Sequence, residues 1–116
     1  MWESAIAGWP PRDGLDARFQ DPRFALAFAR LVTHYARHDA WIEDGSLLSH
    51  AGMLAGIPGV LVNGRLDVQS PLANAWELQR AWQGAELRVV ETIGHDGAQV
   101  QITSELVHAT DRFARR

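Results

Sequence analysis

At 116 residues, 47% hydrophobic and 22% charged, the chain is one domain or part of one, and its composition excludes wholesale disorder. A net charge of -3 argues against a nucleic-acid partner, which needs a basic surface. With no cysteine, disulfides, thiolate catalysis and cysteine-ligated zinc are excluded, and the expectation is a cytoplasmic protein that engages no membrane.

Taken in chain order, residues 2–7 read as a scrap of helix and Trp9 to Gly14 as a loop, because two prolines and a glycine forbid regular structure there. Asp21-Pro22 reads as a helix start: the carboxylate can cap free N–H groups and proline suits the first helical position. Phe24, Ala27, Phe28, Leu31, Val32 and Tyr35 then recur at three- and four-residue steps, one apolar face of a helix ending near Arg37. A second short helix is expected through Leu47 and Leu48. Ile57 to Val62 is a continuous aliphatic run that suits a strand covered on both faces. Ser70-Pro71 opens the next helix, with Leu72, Ala75, Trp76, Gln79 and Trp82 inward and Gly84 after its end. Leu87 to Val90 is a short strand. Thr103 or Ser104 is expected to cap a final helix carrying Leu106, Val107, Ala109, Thr110 and Phe113 inside.

From Ile57 onward the order is strand, loop, helix, strand, loop, helix. Two strands joined by a helix are expected to be parallel. Ligand chemistry in such sheets gathers at the carboxyl ends of the strands. Asp67 ends the run from Ile57, and His95 follows the run from Leu87. An acid and a histidine in that order are the last two members of a nucleophile–acid–histidine triad in α/β-hydrolase order. The first member belongs in a G-x-S-x-G elbow, and this sequence contains none. None of Ser4, Ser46, Ser49, Ser70 and Ser104 sits between glycines at a strand-to-helix turn, and Ser70 and Ser104 read as helix caps.

The stretch from about Phe24 to Phe113 resembles the C-terminal part of the prolyl aminopeptidases (proline iminopeptidases), a family of α/β-hydrolase serine peptidases. The resemblance is carried by Asp21-Pro-Arg-Phe-Ala-Leu-Ala-Phe-Ala-Arg30, His34-Tyr35, Ile57-Pro-Gly-Val and Asn63-Gly-Arg-Leu-Asp67. Pro71, Asn74-Ala-Trp-Glu-Leu78, Ala81-Trp82, Ala85-Glu-Leu87, Gly94-His95 and Ala109-Thr-Asp-Arg-Phe113 extend it. The family has a Gly-Arg-Tyr-Asp motif and a Gly-His motif at the matching places. The resemblance implies Asp67 as the triad acid and His95 as the triad base. It implies residues 1–50 as a helical cap-like segment, with Trp2-Glu3 inside it, and residues 51–116 as the C-terminal part of the hydrolase core. The implied fold class is α/β: a partial α/β-hydrolase of two C-terminal parallel strands with helices, preceded by a cap remnant.

Three departures stand out. The serine elbow and oxyanion loop are not in this sequence. Ala29-Arg30-Leu31-Val32 stands where the family usually reads Ala-Arg-Ile-Glu, so the carboxylate that helps hold a substrate amino terminus is lost at Val32. Asp96 follows Gly94-His95, where the family more often has a small serine.

The expectation is therefore a C-terminal piece of a serine hydrolase that releases N-terminal proline or a similar residue from peptides, with no cofactor and no metal. Its expected partner is the N-terminal half of an α/β-hydrolase or a second copy of itself, because an open apolar strand edge is a template for pairing. The competing readings are a non-catalytic assembly module and a hydrolase of different specificity. His34 and His38, four residues apart on one helix with His50 nearby, have metal-ligand spacing. Without cysteines or an H-E-x-x-H pattern, an exposed helix face is the simpler account. Arg65, beside Asp67, is expected to brace the acid loop by an ion pair.

Overall fold

A computed structural model describes residues 17–114. The expected helical scrap at residues 2–7, the Trp9 to Gly14 loop and the Trp2-Glu3 pair lie outside the described residues.

The first helix, α1, spans Pro22–Arg37. It begins as its sequence requires: Asp21 is extended, its Oδ1 accepts the Arg23 N–H at 2.9 Å, and Pro22 takes the first helical position. A 3-10 turn over Ala17–Gln20 precedes it and another over Asp39–Trp41 follows it. Phe19 joins Phe24 and Phe28 in an edge-on and stacked cluster with ring centres 5.0–6.1 Å apart. Beyond that cluster the apolar face is bare. Leu31, Val32 and Tyr35 are exposed, and among the described residues α1 touches only its two flanking turns. The expected apolar stripe exists, but its burial does not, because no other described element comes to it.

Asp39, Ala40 and Trp41 all have positive φ (47°, 51° and 55°) without a glycine among them. A left-handed backbone costs an L-residue roughly 1–2 kcal/mol, so this turn stores strain.

Helix α2, Ser46–His50, continues into a 3-10 turn over Ala51–Leu54, and both pack on the next helix. Strand β1 spans Gly59–Gly64, helix α3 Leu72–Ala81, strand β2 Ala85–Val90 and helix α4 Val100–Ala114. The two strands are parallel and in register from Gly59 opposite Ala85 to Gly64 opposite Val90, as the strand–helix–strand order predicts. Strand β1 begins later than expected. Pro58 has no N–H to give a ladder, and the Ile57 carbonyl is taken by the Trp82 indole N–H at 3.0 Å.

That indole also donates to the Leu54 carbonyl at 3.0 Å and lies against Gly59, where an added Cβ would sit 2.3 Å from the ring. Trp82 thus ties the end of α3 to the start of β1. Trp76, expected inward, is instead about half exposed, with the Arg80 guanidinium 4.7 Å over its ring.

Ser70 does not cap α3. Pro71 is extended (ψ 141°) and occupies the cap position, so the helix starts one residue later. Neither Thr103 nor Ser104 caps α4, which begins earlier. Asp96 turns the chain: its Oδ1 accepts the Ala98 N–H at 3.0 Å and its carbonyl the Gln99 N–H at 3.1 Å. The inward residue of α4 is Ile102, while Leu106 and Val107 are about half exposed.

The core sits where α4 and α3 cover β1 and β2. Among the described residues its buried apolar side chains are Ala51, Ile93 and Ile102, and no large side chain is completely enclosed. The radius of gyration is 16.3 Å, above the ~13 Å of a compact chain of about this size. Among the described residues no helix is long and apolar enough to cross a membrane.

Candidate functional site

The loops that leave β1 and β2 at their carboxyl ends are stitched together by backbone. Arg65 N–H donates to the Val90 carbonyl at 2.9 Å and Leu66 N–H to the Ile93 carbonyl at 3.0 Å. Gly64 makes this possible. A Cβ there would lie 2.3 Å from the Ile93 carbonyl oxygen and 2.4 Å from that of Gly94. Only glycine lets the end of β1 approach the chain that carries His95 so closely.

The approach delivers one contact. His95 Nδ1 lies 2.9 Å from Asp67 Oδ2. The carboxylate is enclosed, its side chain 7% exposed, while the imidazole is 42% exposed. Asp67 Oδ1 is occupied separately, accepting the backbone N–H of Gln69 at 3.0 Å and of Ser70 at 2.8 Å. A carboxylate in its ionised form only accepts, so the tautomer of His95 that makes this bond carries its proton on Nδ1. That leaves the Nε2 lone pair of His95 to accept a proton. Among the described residues no serine or threonine hydroxyl is hydrogen-bonded to His95.

Both residues singled out from sequence therefore meet in one hydrogen bond, the carboxylate enclosed and the imidazole exposed. Arg65 does pair, but with Glu91 rather than with Asp67. The pair is bidentate, with Nη2 to Oε1 at 2.8 Å and Nε to Oε2 also in contact. This hydrogen bonding, reinforced by the opposite charge, holds the Glu91 carboxyl below its ordinary range and raises the Arg65 guanidinium. Arg65 and Glu91 each stand one residue beyond the ends of in-register strands, so they clamp the two loops. Sequence reasoning missed Glu91, and the strand register would have found it. Asn63, also missed, donates from Nδ2 to the Gly64 carbonyl at 3.0 Å and the Ser70 carbonyl at 3.3 Å, bracing the acid loop from within.

Val32 lies exposed on α1, and α1 has no contact with β1, β2 or α4. The structure therefore does not bring this position to the pair. Of the three histidines with metal-ligand spacing, His34 and His38 are neighbours with ring centres 5.2 Å apart. His50 is turned away, its Nδ1 2.7 Å from the Ser46 carbonyl. No three ligating side chains converge among the described residues.

A separate open cavity of about 910 Å³ lies between residues 39–48 and α3. Asp39, Glu43, Asp44 and Glu77 line it, and neither Asp67 nor His95 does.

No protein-family model matches the chain. Individual relatives do. A proline iminopeptidase of Xylella fastidiosa is 41% identical over 114 residues, covering 97% of this chain and 36% of that protein. A probable proline iminopeptidase of Streptomyces coelicolor is 42% identical over 118 residues, again covering 36% of its length. A proline iminopeptidase of Arabidopsis thaliana is 35% identical over 113 residues, 30% of its length. The chain is a relative of the proline iminopeptidases over nearly its whole length, and it spans about a third of theirs.

Proposed function

From this kinship we propose that residues 51–116 are the C-terminal part of a proline-iminopeptidase-like α/β-hydrolase core and residues 1–50 part of its cap, working in the cytoplasm. In this reading Asp67 and His95 are the acid and base of a serine triad. The observation that carries it is the 2.9 Å bond from His95 Nδ1 to Asp67 Oδ2 at the carboxyl ends of adjacent parallel strands. The nucleophile comes from chain outside these residues, since the sequence has no serine elbow.

The chemistry follows from the geometry. A serine Oγ placed against His95 Nε2 gives up its proton as it attacks the carbonyl that follows an N-terminal residue. The imidazolium formed is stabilised by Asp67, which keeps the same hydrogen bond and does not take the proton. His95 then protonates the leaving amine. A water, deprotonated by the same nitrogen, attacks the acyl-enzyme, and the proton passes from His95 to the departing serine Oγ as the N-terminal residue is released. Asparagine at position 67 cannot serve. If its oxygen faces the Gln69 and Ser70 N–H groups, its NH2 faces His95 Nδ1 and forces the wrong tautomer.

The test is kinetic. The 116 residues alone should not hydrolyse a prolyl chromogenic amide. Mixed or fused with a chain carrying the serine elbow and oxyanion loop, they should, and Asp67→Asn should then lower turnover by about 10⁴-fold. Equal rates for Asp67→Asn and the parent would remove the pair from catalysis.

A non-catalytic assembly role is favoured by one observation. Strand β1 reads Gly-Val-Leu-Val-Asn-Gly, with no charge to guard its unpaired edge, whereas β2 carries Glu86 and Arg88. Binding to a hydrolase front half without Asp67-dependent turnover would support that role.

A further inference from the structure

The pair of histidines on α1 is unused by the hydrolase chemistry and lies exposed on the helix surface. We propose that His34 and His38 form a two-imidazole site for a divalent transition metal, Cu(II), Ni(II) or Zn(II), with water completing the coordination.

Three observations carry this. The first is spacing. Residues four apart on a helix share a face, and the His34 and His38 ring centres are 5.2 Å apart. A metal–nitrogen bond is about 2.0 Å and the ring centre lies about 1 Å further on, so two imidazoles in adjacent positions of one tetrahedral or square-planar ion hold their centres about 4.5–5 Å apart. The pair already stands near that separation. The second is availability: both residues are exposed, and neither imidazole has a hydrogen-bond partner among the described residues.

The third is orientation. The Trp41 indole is stacked on His38 at 4.9 Å with an interplanar angle of 14°, and it lies 5.2 Å from His34. Tyr35 meets the same indole edge-on at 5.4 Å. The left-handed turn Asp39–Trp41 returns the chain so that Trp41 reaches these rings. Strain held by a structure is a pointer to function, and here it supports a backing plate that limits rotation of the metal-ligating rings. A ring contact that limits imidazole rotation reduces the ordering entropy that metal binding has to overcome. With only two protein ligands the site is open and exchangeable, and copper binds it most tightly.

Calorimetric titration of the full chain with CuSO4 and with ZnCl2, alongside tryptophan fluorescence, tests the proposal. The expected result is saturable binding of one ion per chain, with copper quenching Trp41. His34→Gln and His38→Gln should each abolish saturation, and Trp41→Phe should remove the quench while retaining binding. His108→Gln, on another exposed helix face, should change nothing. Saturable binding that survives His34→Gln or His38→Gln, or no saturation below about 1 mM, which would leave only millimolar affinity, overturns it.

Discussion

Helices α1 and α4 are near equals on paper, each about four turns long with an apolar stripe at helical spacing. In the structure they differ completely. Helix α4 lies on both strands and buries Ile102, while α1 meets only its own flanking turns and leaves Leu31 and Tyr35 in solvent. An amphipathic pattern therefore states that a helix needs a partner and says nothing of where the partner is. For α4 the partner is the β-α-β unit beside it in sequence. For α1 it is not among the described residues.

The sharpest way to break the comparison is to attack the point on which the packed half depends. Gly64→Ala would place a methyl group 2.3 Å from the Ile93 carbonyl oxygen, and backbone cannot yield as a side chain can. Destabilisation of about 3 kcal/mol or more is expected, with separation of Asp67 from His95. Urea unfolding reads the first, and loss of the downfield Nδ1 proton resonance reads the second.

A gentler contrast compares the two helices directly. Ile102→Ala should cost about 2–4 kcal/mol, because it empties buried space between α4 and the sheet. Leu31→Ala on α1, 61% exposed, should fall within about 0.5 kcal/mol. Equal costs in denaturant would mean that α1 is packed after all.

The smallest effect concerns the charged clamps. Glu91, hydrogen-bonded by Arg65, and Glu86, hydrogen-bonded by Arg112, both titrate below the ordinary glutamate range. A depressed carboxyl stabilises the fold at pH values above its unfolded pKa, and that contribution fades as pH falls through the folded value. Stability should thus decline below the ordinary glutamate range, and Glu91→Gln should flatten part of the decline. Because these pairs are exposed, salt should shrink the effect.

Much of this was legible in the residues. Asp21-Pro22 announced α1 because capping is local chemistry. The pairing of Asp67 with His95 was legible because strand ends and loop order fix which residues can meet. What failed was the choice between residues of similar chemistry, where the neighbours decide which one is used. Trp76 and Trp82 carry the same ring six residues apart, yet only Trp82 finds carbonyls to bond, those of Leu54 and Ile57. The start of α4 was misplaced because Thr103 and Ser104 resemble caps, while Asp96, noted only as a departure from the family, makes the turn. Glu91 was invisible without the register that sets it opposite Arg65.

Asp67 divides its work between its two oxygens. One is fixed by N–H groups two and three residues onward, and the other faces His95. The acid's posture is therefore set locally, by the turn from Asp67 to Ser70 and by Asn63, which holds the Ser70 carbonyl. The span from acid to base is written elsewhere, in the glycine contact at Gly64. Substitutions confined to the exposed face of α3 should therefore leave the carboxylate's aim intact, whereas a change at Asn63 or Gly64 should disturb it.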